Sequence, residues 1–254
     1  MSEETLRMVR VALDGERLFE FAQRRSLPTR DLDLGYVAHC ALQELFGEPA
    51  PQPFSLAPRT GRWQSVLGYA TQDAEALHEA AKLQADPWLY QHVVDWSSLA
   101  SKPMPTVWRV GQRLDFTVRA CPVVRTMRAG TDGVMREKHR EVDAFLAECW
   151  RVGDPKVPVD RMEVYRRWLA EQFERHGGAA ADEVRVSRFT LERLARKHHA
   201  EVRRMQIKGR PDATFEGTLA VTDPVAFAAL LRRGVGRHRA FGFGMLLLRP
   251  PRGG

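Results

Sequence analysis

Apolar and polar residues alternate through "TLRMVRVAL" (5–13), the two-residue period of a strand. "DLDLGYVAHCALQELFG" (31–47) shifts to a helical spacing; Asp31 or Asp33 can cap it, and Gly47 with Pro49 ends it. "PQPFSLAP" and "RWQSVLGYA" read as two strands joined by a turn around "PRTGR". "TQDAEALHEAAKLQA" (71–85) predicts a second helix, closed by Asp86-Pro87. Pro103 and Pro105 in "ASKPMPTV" then mark a linker or the start of a strand.

"RLDFTVRACPVVR" (113–125) alternates again and opens a second unit. Near the C-terminus "FEGTLAVT" predicts a strand. Asp223-Pro224 supplies a helix cap and first residue, "VAFAALLRR" the helix, and "GMLLLRP" a last strand. Between these, Val142, Phe145, Leu146, Cys149 and Trp150 form one amphipathic stripe, and Met162, Tyr165, Leu169 and Phe173 another. The predicted class is α+β. Strand-helix-strand-strand-helix is most of a ferredoxin-like (RRM-like) unit, so two such domains in tandem are expected, at 1–105 and 106–254. A mostly helical insertion is expected over about 136–200 of the second.

Composition narrows the partners. Of 254 residues, 28% are charged and 44% hydrophobic, and no apolar run approaches the ~18 residues of a membrane helix. "MSEETLRMVR" has no apolar signal core, and Cys40, Cys121 and Cys149 form no CxxC pair, which predicts a cytoplasmic protein without a disulfide framework or zinc knuckle. The net charge of +7 is unevenly spread. Residues 185–210 hold nine Lys or Arg against two Glu, and residues 232–252 hold six arginines and no acid. One such run is ordinarily a solvated face; two with so little counter-charge suggest a polyanion, most simply nucleic acid. Neither run makes a clean apolar-plus-basic helix, which argues against a membrane surface.

"GVGRHRAFGFG" (234–244) lies within the second run, between a helix and a strand. That order is wrong for a dinucleotide fingerprint, in which the glycines follow a strand and open a helix. Glycines let a loop turn tightly and bring its N–H groups to a phosphate. Gly234, Gly236, Arg237, His238 and Arg239 are therefore candidates to contact one. The alternative is a helix C-cap at Gly234 and a tight turn into the last strand.

Taken together, "FEGTLAVTDPVAFAALLRRGVGRHRAFGFGMLLLRP", "LDFTVRACPVVR" and "GYVAHCALQELFG" resemble CasE-type CRISPR-associated endoribonucleases, which process repeat RNA. The match is close over 113–125 and 212–250, looser over 5–100 and poor over the predicted insertion. The resemblance implies cleavage of the CRISPR repeat stem-loop in precursor crRNA by the RNA's own 2′-hydroxyl, without metal or cofactor. It also implies retention of the product hairpin and association with other subunits of a CRISPR effector complex. The implied catalytic residues are His39, Tyr36 one helical turn before it, and Arg239, which stands where relatives usually carry Lys. The implied RNA-binding residues add Arg203 and Arg204, on a basic arm in "KHHAEVRRMQIKGR", and Arg24 and Arg25 beside the cut site. Cys121 replaces an Asn common in the family, and the long insertion resembles the helical finger of a type IV branch in which arginines take over catalysis. A non-catalytic subunit that caps the crRNA 3′ hairpin is the alternative reading.

Overall fold

In the computed structural model, which describes residues 5–27, 33–129, 135–196 and 205–251, β1 (Arg7–Asp14) runs into α1 (Gly15–Arg24) and α2 (Leu34–Phe46). β2 (Phe54–Leu56), β3 (Trp63–Ala70), α3 (Ala74–Gln84), α4 (Pro87–His92) and β4 (Val94–Pro103) follow. Each helix of this half starts at an aspartate. Asp14, Asp33, Asp73 and Asp86 accept hydrogen bonds from first-turn backbone N–H groups that have no partner inside the helix. Asp33 is the cap of α2; Asp31 lies outside the described residues.

The four strands form an antiparallel sheet in the order β2-β3-β1-β4. Val9, Val11, Leu13 and Val66 face the helices and build one core with Leu18, Leu42, Leu77 and Leu89. Met8, Leu67 and Tyr69 point to the other face and join the core of the second half. The Tyr69 hydroxyl, fully buried there, donates to the Leu246 carbonyl at 2.7 Å and links the two sheets.

The second half contains β5 (Arg113–Ala120), β6 (Val123–Ala129), β7 (Met135–Asp143), α5 (Ala144–Val152) and α6 (Arg161–His176). It continues with β8 (Ala179–Arg196), β9 (Met205–Val221), α7 (Pro224–Arg233) and β10 (Leu246–Arg249). Its main sheet is ordered β10-β5-β9-β8, and β6 with β7 makes a separate two-stranded ribbon. Leu114, Phe116, Val118 and Ala120 of β5 point inward on alternate positions and pack with Leu169 and Phe173 of α6 and Phe227 of α7. The expected run of strand over 113–125 is broken at Cys121-Pro122, and β6 leaves for the ribbon.

The expected mostly helical segment over 136–200 is corrected. The second stripe forms α6, and most of the first falls in α5, but Val142 lies in β7, Leu146 and Trp150 are exposed, and 135–143 and 179–196 are strands. α6 places Tyr165, Leu169 and Phe173 in the main core, so it is a layer of this half. β8 hid in the sequence because its pairing with β9 slips at Ala181/Glu183, Val186/Arg188 and Glu192/Leu194. Each bulge shifts the apolar positions off the two-residue period.

Candidate nucleic-acid interface

The stretch 234–244 is a loop tied at its neck. Gly234 ends α7, and the Val235 N–H donates to the Gly244 carbonyl at 2.8 Å. Gly244 has φ +89°, and a Cβ there would lie 2.6 Å from the Val235 oxygen, so a side chain at this position would open the neck. Arg119 of β5 supports the loop from below. Its guanidinium makes paired hydrogen bonds to the buried Asp212 carboxylate at 3.0 and 2.8 Å and lies 4.3 Å from the centre of the Phe243 ring. Cys121, Val123, Phe241 and Phe243 form a small apolar cluster on which the loop sits.

The first half meets the loop through α2. A Cβ on Gly35 would be 2.2 Å from the Phe241 carbonyl oxygen, so glycine lets the helix and the loop touch backbone to backbone. One residue on, the Tyr36 ring stacks on Phe241 at 5.3 Å, and the His39 ring lies 6.4 Å from Tyr36. His39 is half-buried, and burial lowers its pKa below the usual histidine value, so the imidazole is neutral at pH 7.

Phe241 also borders a groove of about 1120 Å3, lined by Arg125, Arg175, Arg210, Arg233, Arg237 and Arg239 among others. Glu141 of β7 lies among them. Its carboxylate takes Arg237 Nη1 at 2.6 Å and faces Arg210 Nη2 at 3.3 Å and His238 Nε2 at 3.0 Å. Burial pushes the Glu141 pKa up, but the Arg237 hydrogen bond and the neighbouring positive groups outweigh it, leaving the value below normal. His238 has its pKa lowered by burial, with Glu141 acting the other way.

The structure thus gathers Tyr36, His39, Gly234, Gly236, Arg237, His238 and Arg239 around one loop. Within that group the order is specific. Arg237, His238 and Arg239 line the groove, whereas Tyr36 and His39 are not among the lining residues. Arg239 Nη1 donates to the Arg233 carbonyl at 2.6 Å, where a cation also complements the C-terminal end of α7.

Arg24 and Arg25 stand apart. Arg24 covers the Trp88 ring at 4.2 Å, and Arg25 pairs with Glu44 and with Asp86 at 3.3 Å. Arg203 and Arg204 lie outside the described residues, as do His198 and His199. Among the described residues no cluster of three or more His, Cys, Asp or Glu is arranged to hold a metal, and no helix is long and apolar enough to cross a membrane. Sequence reasoning missed Arg119, Asp212 and Glu141. Arg119 sat inside an ordinary strand pattern, and nothing local to Asp212 or Glu141 sets them apart from other acids.

Comparison with known proteins agrees with this architecture. The family described as "CRISPR associated protein" matches residues 8–250. A curated relative, the CRISPR-associated endoribonuclease Cse3 of Thermus thermophilus, is 28% identical over 171 residues, covering 61% of this chain and 68% of its own. A solved structure of Thermus thermophilus Cse3 bound to an RNA representing a pre-cleavage complex superposes with a TM-score of 0.59 at 21% identity, covering 97% of this chain and 100% of that one. A protein in a CRISPR RNA-guided surveillance complex in a pre-nicking state is similar at a TM-score of 0.54 and 14% identity, over 96% of this chain and 100% of that one.

Proposed function

The chain belongs to the CRISPR associated protein family, and from that premise we propose that it is an endoribonuclease that binds and cuts CRISPR repeat stem-loops. The observation that carries this reading is the six-arginine groove beside a loop that also docks the Tyr36/His39 helix. The strand orders β2-β3-β1-β4 and β10-β5-β9-β8 support two tandem ferredoxin-like domains, at 1–105 and 106–254. The two sheets have the same path: in each, the first and third strands are central and the second and fourth are at the edges.

In the proposed reaction the 2′-hydroxyl oxygen attacks the adjacent phosphorus. The O2′–P bond forms, the P–O5′ bond breaks, and the products carry a 2′,3′-cyclic phosphate and a 5′-hydroxyl. One proton leaves the 2′-hydroxyl and solvent water delivers one to the departing 5′-oxygen, so the step balances; it is proposed to need no metal or cofactor. His39 is assigned the first transfer because a neutral imidazole can accept a proton at neutral pH. Tyr36 orients the phosphate at the seam between α2 and the loop. Arg239 leaves the Arg233 carbonyl to meet the charge that grows on the phosphorane. Arg237, His238 and the N–H groups of the glycine loop hold neighbouring phosphates, and the product hairpin stays in the groove. Arg203 and Arg204 are proposed to grip the stem. Arg24 and Arg25 keep their RNA-binding role only if RNA displaces Trp88 and the Glu44 and Asp86 carboxylates.

The second reading, an RNA-capping subunit of an effector complex that does not cut, is favoured by one observation. Neither Tyr36 nor His39 is among the residues that line the groove. A 5′-labelled repeat stem-loop incubated with excess protein in EDTA separates the two. A single cut ending in a cyclic phosphate, slowed by about 10²-fold or more in His39→Ala with RNA affinity unchanged, is the expected result. Tight binding without cutting by the wild type would leave the capping role. Cutting that persists in His39→Ala but fails in Arg239→Ala would move the chemistry to arginine.

A further inference from the structure

Glu141 is an acid in the middle of a groove otherwise suited to a polyanion, and its surroundings have the form of an anion site already filled. Its carboxylate collects Arg237 and His238 from the glycine loop and Arg210 from β9, three cationic or donor side chains from two separate elements. Arg237 and Arg210 present guanidinium forks, the geometry that binds carboxylate and phosphate interchangeably. All four residues line the groove.

The carboxylate does not satisfy all its hosts. Arg210 Nε is buried and has no hydrogen-bond partner among the described residues, and the equally buried His238 Nε2 faces the Glu141 carboxylate at 3.0 Å. A buried donor left without a partner calls for an explanation. A carboxylate offers two oxygens in one plane, whereas a phosphodiester offers oxygens in tetrahedral directions and matches the surplus donor better. His238 is also one of two non-glycine residues with positive φ among those described, at φ 62° and ψ 33°. A histidine in that left-handed conformation is uncommon, and it holds the imidazole in the groove, edge-on to Phe241 at 6.0 Å.

We propose that Glu141 is a built-in competitor for RNA: in the free protein its carboxylate occupies a subsite in which Arg210, Arg237 and His238 take a backbone phosphate. The inference rests on the RNA-binding reading above. A carboxylate and a phosphate cannot share these donors at contact distance, so the phosphate enters as Glu141 swings out. Only an RNA that also engages the rest of the groove offsets that exchange, which makes Glu141 a filter against short or non-specific polyanions and a means of releasing product.

The test uses the full chain and Glu141→Gln, with two probes. The repeat stem-loop is expected to bind the variant at least about tenfold more tightly, since one like charge at contact distance is removed. Inorganic phosphate, compared with chloride at equal ionic strength, is expected to raise the melting temperature of the variant but not of the wild type. Adding Arg237→Ala is expected to abolish both gains. Unchanged or weaker RNA binding by a variant that melts like the wild type would overturn the proposal and leave Glu141 as a clamp of the loop. Should the variant fail to fold, the wild-type complex with the stem-loop decides. A phosphate within 4 Å of Arg210, Arg237 and His238 supports the competitor, and Glu141 still paired with Arg237 overturns it. If wild type and variant both ignore the stem-loop while phosphate still discriminates between them, the RNA reading fails and the anion subsite stands.

Discussion

At the scale of single residues, His39 combines a half-buried ring with the absence of any hydrogen bond or ion pair among the described residues, and burial lowers its pKa. Below the unperturbed value of about 6.5 the unfolded chain takes up a proton at this site before the folded one does. The stability gained by keeping His39 neutral is therefore complete above that value and is lost as pH falls through it toward the folded pKa. His238, also lowered, adds to the same trend. If His39 is the base, the single-turnover rate should be flat from about pH 7 to 8 and decline in acid only at a pH below the ordinary histidine value of about 6.5. Rate measurements across pH, paired with melting curves at each value, check whether activity is lost before the fold. A rate that rises steadily through pH 8 would point to a group with a higher pKa and remove His39 from that role.

At the scale of elements, the contact between α2 and the glycine loop determines whether there is a site. Gly35→Ala illustrates the balance of forces. Alanine is worth about 1 kcal/mol over glycine inside a helix, but its Cβ would meet the Phe241 oxygen at 2.2 Å. Overpacking of this kind costs about 1–3 kcal/mol, and a small shift of α2 against the loop relieves it. The expected outcome is a modest fall in melting temperature with at least about a tenfold loss of cleavage, and RNA affinity changed less, because the arginines stay in the groove. Thermal melts, single-turnover rates and binding assays on the one variant measure all three. The same contact shows how far a sequence can be read. The helix was legible from its period and its Asp33 cap, and the loop from its glycines, since both are local patterns. That Gly35 exists to receive a carbonyl two hundred residues away is a long-range fact with no local trace. α1 was legible but went unread: Asp14 caps it, and Leu18, Phe21 and Ala22 are spaced for one helical face; β4 escaped because "VDWSSLASKP" lacks strict alternation. Glu141 escaped because an acid beside arginines in sequence says nothing about which arginines it meets in space.

At the scale of the whole molecule, charge is concentrated where the two halves meet. Arg125 and Arg175 from the second half and Arg233, Arg237 and Arg239 around the loop face one groove, whose floor is joined to the first half through Phe241 and Tyr36. Association with RNA should accordingly be dominated by counterion release. If about four phosphates are neutralised, affinity for the stem-loop should fall about 10²-fold between 50 and 200 mM salt, with log Kd linear in log salt. Removing Arg175, which lines the groove away from the glycine loop, should lower that slope by close to one phosphate and leave the cut position unchanged. A slope near zero would mean that the groove does not carry the backbone.

The buried core beneath β1, β3 and the first four helices draws on residues 9–94, with Trp96 and Leu99 packed against it, whereas the groove needs the loop at 234–244, whose neck closes between Val235 and Gly244. The residues of that core emerge from the ribosome well before the neck of the loop does. A growing chain therefore holds the helix-facing core long before it holds a finished groove.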